Sequence, residues 1–182
     1  MNLSLFTNFL DTGPSLGEII LRMGLTALFV GIIGIERQMR HKIAGVTTHL
    51  MVAFGAAGIA ILQDSLYLEA LALAESYASQ GIPITVNLER QRVIAQVVTG
   101  VGFLGAGTIL KTSNGISGLT TAATIWLAAM VGLTFGMGAY VLGIVLSLFS
   151  LLFLTGVRKL LESTSIKHVK SPETLGAEVI EK

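Results

Sequence analysis

The chain has 182 residues, of which 52% are hydrophobic and 13% are charged, and its net charge is +1. A soluble domain carries about 25% charged residues, so this composition indicates a membrane protein, as does the mean hydropathy of +0.76. Cysteine is absent, which excludes disulfides, thiolate metal sites and cysteine catalysis. The near-neutral charge gives no argument for a nucleic acid partner.

Five apolar segments predict helices that cross the lipid bilayer. They comprise residues 16–35, 46–62, 93–110, 119–135 and 139–157. At about 1.5 Å per residue each is near the length that spans a hydrocarbon core of about 30 Å. The predicted fold is all-α: a polytopic bundle of five transmembrane helices in residues 1–157, followed by a short polar tail in residues 158–182.

The distribution of basic residues predicts the orientation of these helices. With five spans, nine of the twelve Lys and Arg residues fall in the segments on one side of the membrane, while Arg90 and Arg92 fall on the other side and Arg22 lies within a span. Cytoplasmic segments are the ones enriched in Lys and Arg. We therefore expect the N-terminus outside and the C-terminus in the cytoplasm, with no removable signal peptide.

The first span contains two charged residues, Glu18 and Arg22, which are four residues apart and so share one helical face. One interpretation is a structural ion pair near the outer surface. The other is a polar gate or binding site shared with Glu89, Arg92 and Gln96, which should lie at a similar depth, because charges within a span usually face protein or water.

The outer loop predicted for residues 63–92 also has a pattern. Leu66, Leu73 and Tyr77 fall on one helical face, which predicts a short helix lying on the membrane surface. A solvated acidic loop is the alternative, because the same segment carries several carboxylates.

Polar residues at the cytoplasmic ends of three helices predict a second cluster. Its expected members are Glu36, Arg37, Thr48, His49, Thr120 and Thr121. Glu36 could hold His49 in one tautomer; the alternative is a network that only caps helix ends. Magnesium prefers several oxygen ligands, and Glu36 is the one acidic residue in this cluster, so no metal site and no cofactor is assigned.

The stretch "VVTGVGFLGAGTIL" contains Gly100, Gly102 and Gly105 in the spacing of a dinucleotide-binding turn. That reading needs a preceding strand and a later acidic residue, and here the glycines lie in an uncharged apolar segment. We instead expect a thin central helix on which neighbours pack closely, with Gly100, Gly102, Gly105, Ala106 and Gly107 as packing residues. A hinge or pore lining is the alternative.

Four ordered motifs resemble the MgtC/SapB family of bacterial inner-membrane proteins. They are "GIIGIERQ" (31–38), "AGVTTH" (44–49), "RVIAQVVTGVGFLGAGTIL" (92–110) and "GLTTAATIW" (118–126). The resemblance implies a five-helix membrane domain, adaptation to low magnesium, virulence in some pathogens, and regulation of a membrane ATPase as partner. It also implies a short form of the family, without the ACT-like C-terminal domain of many members.

The chain departs from the family pattern on both sides of the membrane. Thr47 and Ser117 stand where many members have basic residues, and Glu89-Arg90 stands where many have Asp-Pro. The first two differences put an anionic partner on the cytoplasmic side in doubt.

No Ser-His-Asp arrangement, P-loop or catalytic carboxylate pair can be placed, so we predict a non-enzymatic regulator that acts through helix contacts with another membrane protein. The exposed small residues of the spans favour this role, and they could also join two copies in a homodimer. The alternative is a transporter or channel for magnesium or another cation, which would need a continuous polar path.

The predicted orientation can be tested with two single cysteines, because the chain has none of its own. A cysteine at Ser79 should react with a membrane-impermeant thiol reagent in intact cells, while one at Ser171 should react only after lysis. Equal labelling of the two positions in intact cells would contradict the orientation.

Overall fold

The computed structural model describes residues 13–82, 90–113 and 115–157, and within these ranges the chain is mostly helical. The helices are α1 (Leu16–Met39), α2 (Val46–Ser79), α3 (Arg90–Ala106), α4 (Leu119–Gly136) and α5 (Tyr140–Leu151), which continues as a π-helical turn, Leu152–Val157. Strands β1 (Leu110–Thr112) and β2 (Gly115–Ser117) lie between α3 and α4. The predicted polar tail lies outside the described residues.

Three of these helices are long and apolar enough to cross a membrane: α1, α2 and α4. The segment Tyr140–Gly156 is a shorter apolar helix, and α3 has 17 residues. The helical character of the fold is therefore confirmed, while a count of five spans and their orientation stay predictions.

The second helix is much longer than the predicted span at residues 46–62. It has 34 residues, about 51 Å of helix, so it continues through most of the predicted outer loop instead of ending before a separate surface helix. The segment from Gln63 to Ser79 is rich in Leu, Ala and Glu and contains neither Gly nor Pro. Because these residues favour helix, nothing ends α2 before Gly81, whose φ of 78° terminates it.

The connection from α3 to α4 is a β-hairpin that the all-α prediction did not contain. Its strands are antiparallel, with Leu110 opposite Ser117 and Lys111 opposite Ile116. Gly118 then begins α4 with a φ of 87°, at a point where a Cβ would collide with the backbone of Thr108. The predicted third span, residues 93–110, therefore runs past the end of α3 at Ala106.

The central helix of the bundle is α4, and the prediction that the third helix is central is wrong. Helices α1, α2 and α3 all pack against α4, whereas α2 and α3 touch each other sparingly. One apolar cluster joins α4 to α2 and α3 through Ala56, Val101 and Ile125. A second joins α4 to α1, α2 and the start of α5 through residues such as Val30 and Phe135. A helix that is apolar all round is the one expected to be buried.

Glycine allows α2 and α4 to approach backbone to backbone. A Cβ at Gly132 would collide with the carbonyl of Ala53, and a Cβ at Gly136 would lie 2.6 Å from the carbonyl oxygen of Ala57. Both pairs are four residues apart, so two successive turns of each helix meet at small residues. This is the small-xxx-small arrangement that packs helices in membranes.

Most of the predicted packing residues of α3 do not have that role within the described chain. An added Cβ at Gly100 or Gly102 would meet no atom of the described residues within 4 Å, Ala106 is exposed, and Gly107 lies near the carbonyl of Leu104 in its own helix. Gly105 is the exception: it is buried, and its Cβ would lie 3.7 Å from that of Ala122 on α4. Helix α3 turns most of these glycines away from the other described helices.

The chain divides into two compact units, Met1–Ser147 and Leu148–Lys182. The first contains α1 to α4, the hairpin and the start of α5. In the described part of the second unit, the rings of Phe149 and Phe153 stack with centroids 6.4 Å apart, and the hydroxyl of Thr155 donates to the carbonyl of Leu151.

The contact between α2 and α4 predicts a sharp difference between two glycines. Gly132→Ala should destabilise the purified protein by about 1–3 kcal/mol or more, because its methyl group overpacks a backbone contact. Gly58→Ala, at a helical glycine with nothing within 4 Å, should be neutral or mildly stabilising, because alanine favours helix. Thermal unfolding in detergent measures both, and equal melting temperatures would contradict the predicted packing.

Candidate functional site

A buried arginine ties together one end of the bundle. Arg22 on α1 is 5% exposed; its Nε donates to Glu18 Oε1 at 3.1 Å, and its Nη1 donates to Asp64 Oδ2 at 3.2 Å and to the carbonyl oxygen of Gly136 at 2.6 Å. Its guanidinium also interacts with the side chain of Tyr140 on α5. One side chain therefore links α1, α2, α4 and α5, and we call this group the Arg22 cluster.

The Arg22 cluster only partly matches the predicted outer cluster. Glu18 and Arg22 are paired, as their spacing predicted, but the second carboxylate is Asp64, which lies in the segment predicted as an outer loop. Glu89 lies outside the described residues. Arg92 and Gln96 line a separate groove. The sequence could have indicated Asp64, because it lies on the same unbroken helix as Val46. Eighteen residues of helix rise about 27 Å, which brings Asp64 to the level of Arg22.

The groove that holds Arg92 and Gln96 lies between α2 and α3. It is open on one side, has a volume of about 950 Å³, and is otherwise lined by apolar or small residues such as Gly55, Ile59, Val97 and Gly100. It exists because α2 and α3 both pack on α4 but little on each other. We refer to it below as the α2–α3 groove.

The other end of the bundle contains a fully buried histidine. His49 Nδ1 is 2.7 Å from the carbonyl oxygen of Gly45, and its Nε2 is 3.0 Å from the hydroxyl of Thr124 on α4. A carbonyl only accepts hydrogen bonds, so Nδ1 carries a proton. The Thr124 hydroxyl also lies 3.0 Å from the carbonyl oxygen of Thr121. With one proton to donate, that hydroxyl can serve His49 or Thr121 but not both.

Glu36 does not contact His49 directly. Its Oε2 accepts from Arg37 Nε at 2.6 Å, and its Oε1 accepts from Arg40 Nε. Arg37 is buried and close enough to His49 to act on it electrostatically. The expected control of the histidine tautomer by Glu36 is therefore wrong, because the carbonyl group of Gly45 accepts from Nδ1 and sets the tautomer.

The remaining members of the predicted cytoplasmic-side cluster are divided by their burial. Thr48 and Thr120 are exposed, whereas Thr121 is buried and contributes its carbonyl group. The sequence analysis did not identify Thr124 as the partner of His49. The clue to it was that Thr124 lies three residues after Thr121, on the same helical face.

In the described ranges, no three or more His, Asp or Glu side chains come together as a group that could hold a metal ion. Long apolar helices, a small-residue core and buried polar ties at two ends define the class: a helical membrane protein. The chain belongs to the MgtC family, whose model matches residues 23–163.

Curated relatives carry several names. The chain is 44% identical over 137 residues to "Putative magnesium transporter YhiD" of Escherichia coli strain K12, a match that covers 75% of this chain and 59% of that protein. It is 39% identical over 111 residues to "Protein MgtC" of Brucella abortus strain 2308, covering 61% and 39%. It is 36% identical over 126 residues to "Protein SapB" of Bacillus subtilis strain 168, covering 68% and 49%.

The chain thus spans about two fifths to three fifths of the length of these relatives. No solved structure matches it significantly.

The buried hydrogen bond of His49 predicts unequal effects of one substitution at two positions of α4. Thr124→Val keeps the volume but leaves His49 Nε2 without its partner, which should cost about 1–3 kcal/mol of stability. Thr120→Val, at an exposed threonine one turn earlier, should change stability by about 0.5 kcal/mol or less. Thermal unfolding of the two variants decides this, and a Thr120→Val effect as large as that of Thr124→Val would contradict the assignment.

Proposed function

We propose that this protein is a non-enzymatic regulator in the bacterial inner membrane, which acts on another membrane protein by packing a helix against it. Family membership supports a link to magnesium, because the Escherichia coli relative is named a putative magnesium transporter. A membrane ATPase or transporter is the kind of partner that the family resemblance implies. The observation that carries the proposal is one exposed face of α1.

The exposed α1 face alternates glycine with large apolar residues. Its members, spaced four and three residues apart in turn, are Gly17, Leu21, Gly24, Leu28, Gly31 and Ile35. Leu21, Leu28 and Ile35 are 51%, 56% and 51% exposed, and a Cβ at Gly24 or Gly31 would meet no described atom within 4 Å. The opposite side of α1 is buried, with Arg22, Val30 and Arg37 among its residues.

This spacing is the one on which two helices pack with a seven-residue period. Without a hydrophobic drive between helices in lipid, close backbone approach and side-chain fit supply the association, and this face offers both. From Gly17 to Ile35 it extends about 27 Å, close to the thickness of a hydrocarbon core. A membrane-spanning helix of a partner protein matches that length.

The orientation proposed with this function places the Arg22 cluster at the outer surface and His49 at the cytoplasmic side. The basic residues between α1 and α2 support it, because cytoplasmic loops carry the excess of Lys and Arg. A homodimer through the same face would be the self-associating form of this contact.

A cation transporter is the alternative function, and the name of the Escherichia coli relative supports it. The carboxylates of Glu18 and Asp64 are the groups that could attract a cation, but both bind Arg22. The two functions can be distinguished in a vesicle. A transporter moves magnesium across the vesicle membrane without any other protein, whereas a regulator acts only when its partner is present.

The proposed function predicts that filling the exposed α1 face abolishes regulation without unfolding the protein. Gly24→Leu combined with Gly31→Leu should weaken the partner contact by about 1–3 kcal/mol through overpacking, or roughly 5–150-fold. Cells that lack their own copy and carry this variant should fail to grow at low magnesium. A cysteine at Leu28 should cross-link to a second membrane protein in wild-type cells and not in the variant.

The matched control is Gly58→Leu combined with Gly102→Leu, at exposed helical glycines that also have nothing within 4 Å. It should support growth like the wild type at equal membrane abundance. Magnesium transport by the purified protein in vesicles, unaffected by the α1 variant, would overturn the proposal in favour of the transporter. Cross-links exclusively between copies of this chain would overturn the proposed contact with a partner protein and indicate a homodimer instead.

A further inference from the structure

The α2–α3 groove has the size of a ligand site and two distinct parts. Its volume of about 950 Å³ falls in the range of about 300–1,000 Å³ that small-molecule sites occupy. Arg92 and Gln96, on the first two turns of α3, form its polar end. The rest of its wall is apolar or small, with Gly55 on α2 and Gly100 on α3 widening the space between the helices.

The glycines leave room that larger residues would fill. Neither Gly55 nor Gly100 has any described atom within 4 Å of an added Cβ, so the groove is wide where they lie. Val97 and Val101 are partly or fully buried at its base, while Ile59 on the α2 side is 44% exposed. An apolar occupant would cover surface that the described residues leave open.

The length of the groove distinguishes between two kinds of apolar occupant. From Arg92 to Leu104 α3 rises about 18 Å, whereas a helix that crosses the bilayer needs about 30 Å of apolar surface. The groove therefore matches about one leaflet, which has half that depth. A lipid has this length, and it carries its polar group at one end, as the groove does.

The polar end of the groove also has the right chemistry for a phosphate. A guanidinium offers planar, paired N–H donors that suit phosphate oxygens, and the amide of Gln96 can donate one turn further in. Arg92 has an interaction within the chain as well, and its five N–H donors allow a phosphate contact in addition.

We propose that the α2–α3 groove binds a phospholipid, with an acyl chain between Gly55 and Gly100 and the phosphate held by Arg92 and Gln96. This site is separate from the exposed α1 face and does not depend on the proposed regulatory function. The lipid fills the gap between α2 and α3 and thereby ties the peripheral helix α3 to the bundle.

The experiment measures phospholipid retained by the full chain after purification in detergent, by native mass spectrometry. Gly55→Leu combined with Gly100→Leu fills the groove and should reduce retained phospholipid by about tenfold or more. Gly58→Leu combined with Gly102→Leu adds the same side chains to the same two helices outside the groove and should retain lipid like the wild type. Equal loss in both double variants would overturn the proposal, because the lipid would then be a general surface layer.

The contribution of the phosphate is tested separately at Arg92, which is exposed on the first turn of α3. Delipidated protein is added to vesicles that contain phosphatidylglycerol or, in a parallel arm, diacylglycerol, which has the chains without the phosphate. Arg92→Gln should weaken retention of phosphatidylglycerol but not of diacylglycerol, and Arg92→Lys should restore part of it. Equal retention by wild type and Arg92→Gln, or a photo-cross-linker at Val97 that captures a polypeptide instead of a lipid, would overturn the proposal.

Discussion

The backbone contact between α2 and α4 is the constraint on which the remaining arrangement depends. Gly132 and Gly136 meet the carbonyl groups of Ala53 and Ala57 with no side chain between them, so the two helix axes lie close together. In lipid this closeness is the main source of helix association, because burial of apolar surface contributes little there. With α2 and α4 so joined, α1 packs against both of them, and α3 packs mainly on α4.

The same contact brings the polar groups at both ends within hydrogen-bonding distance. Arg22 reaches Asp64 on α2 and the end of α4 at Gly136, and His49 on α2 reaches Thr124 on α4. Each buried group would be costly without its partners, so each end holds the pair in register. The α2–α4 pair is therefore stabilised by two sets of polar contacts and by the glycine contact.

This arrangement of helices leaves two apolar surfaces without a neighbour inside the described chain. The exposed α1 face extends about 27 Å, and the α2–α3 groove about 18 Å. The first length is close to the thickness of a hydrocarbon core, about 30 Å, and the second is close to that of one leaflet, about 15 Å. A small bundle can therefore offer one surface to a partner protein and another to the bilayer.

The sequence alone determined what local chemistry controls. Uncharged apolar segments place helices, because the bilayer leaves the backbone no other way to satisfy its hydrogen bonds, and Glu18 and Arg22 pair because they are one helical turn apart. The sequence also contains Gly132 and Gly136 in "GLTFG", but the sequence analysis assigned helix packing to the glycines of "GVGFLGAG". Which of the two glycine sets meets a neighbour depends on how each helix is rotated. The partnership of Arg22 with Asp64 and of His49 with Thr124 depends on which helices adjoin. Rotation and adjacency follow from the fit of all helices together, and only the tertiary structure decided them.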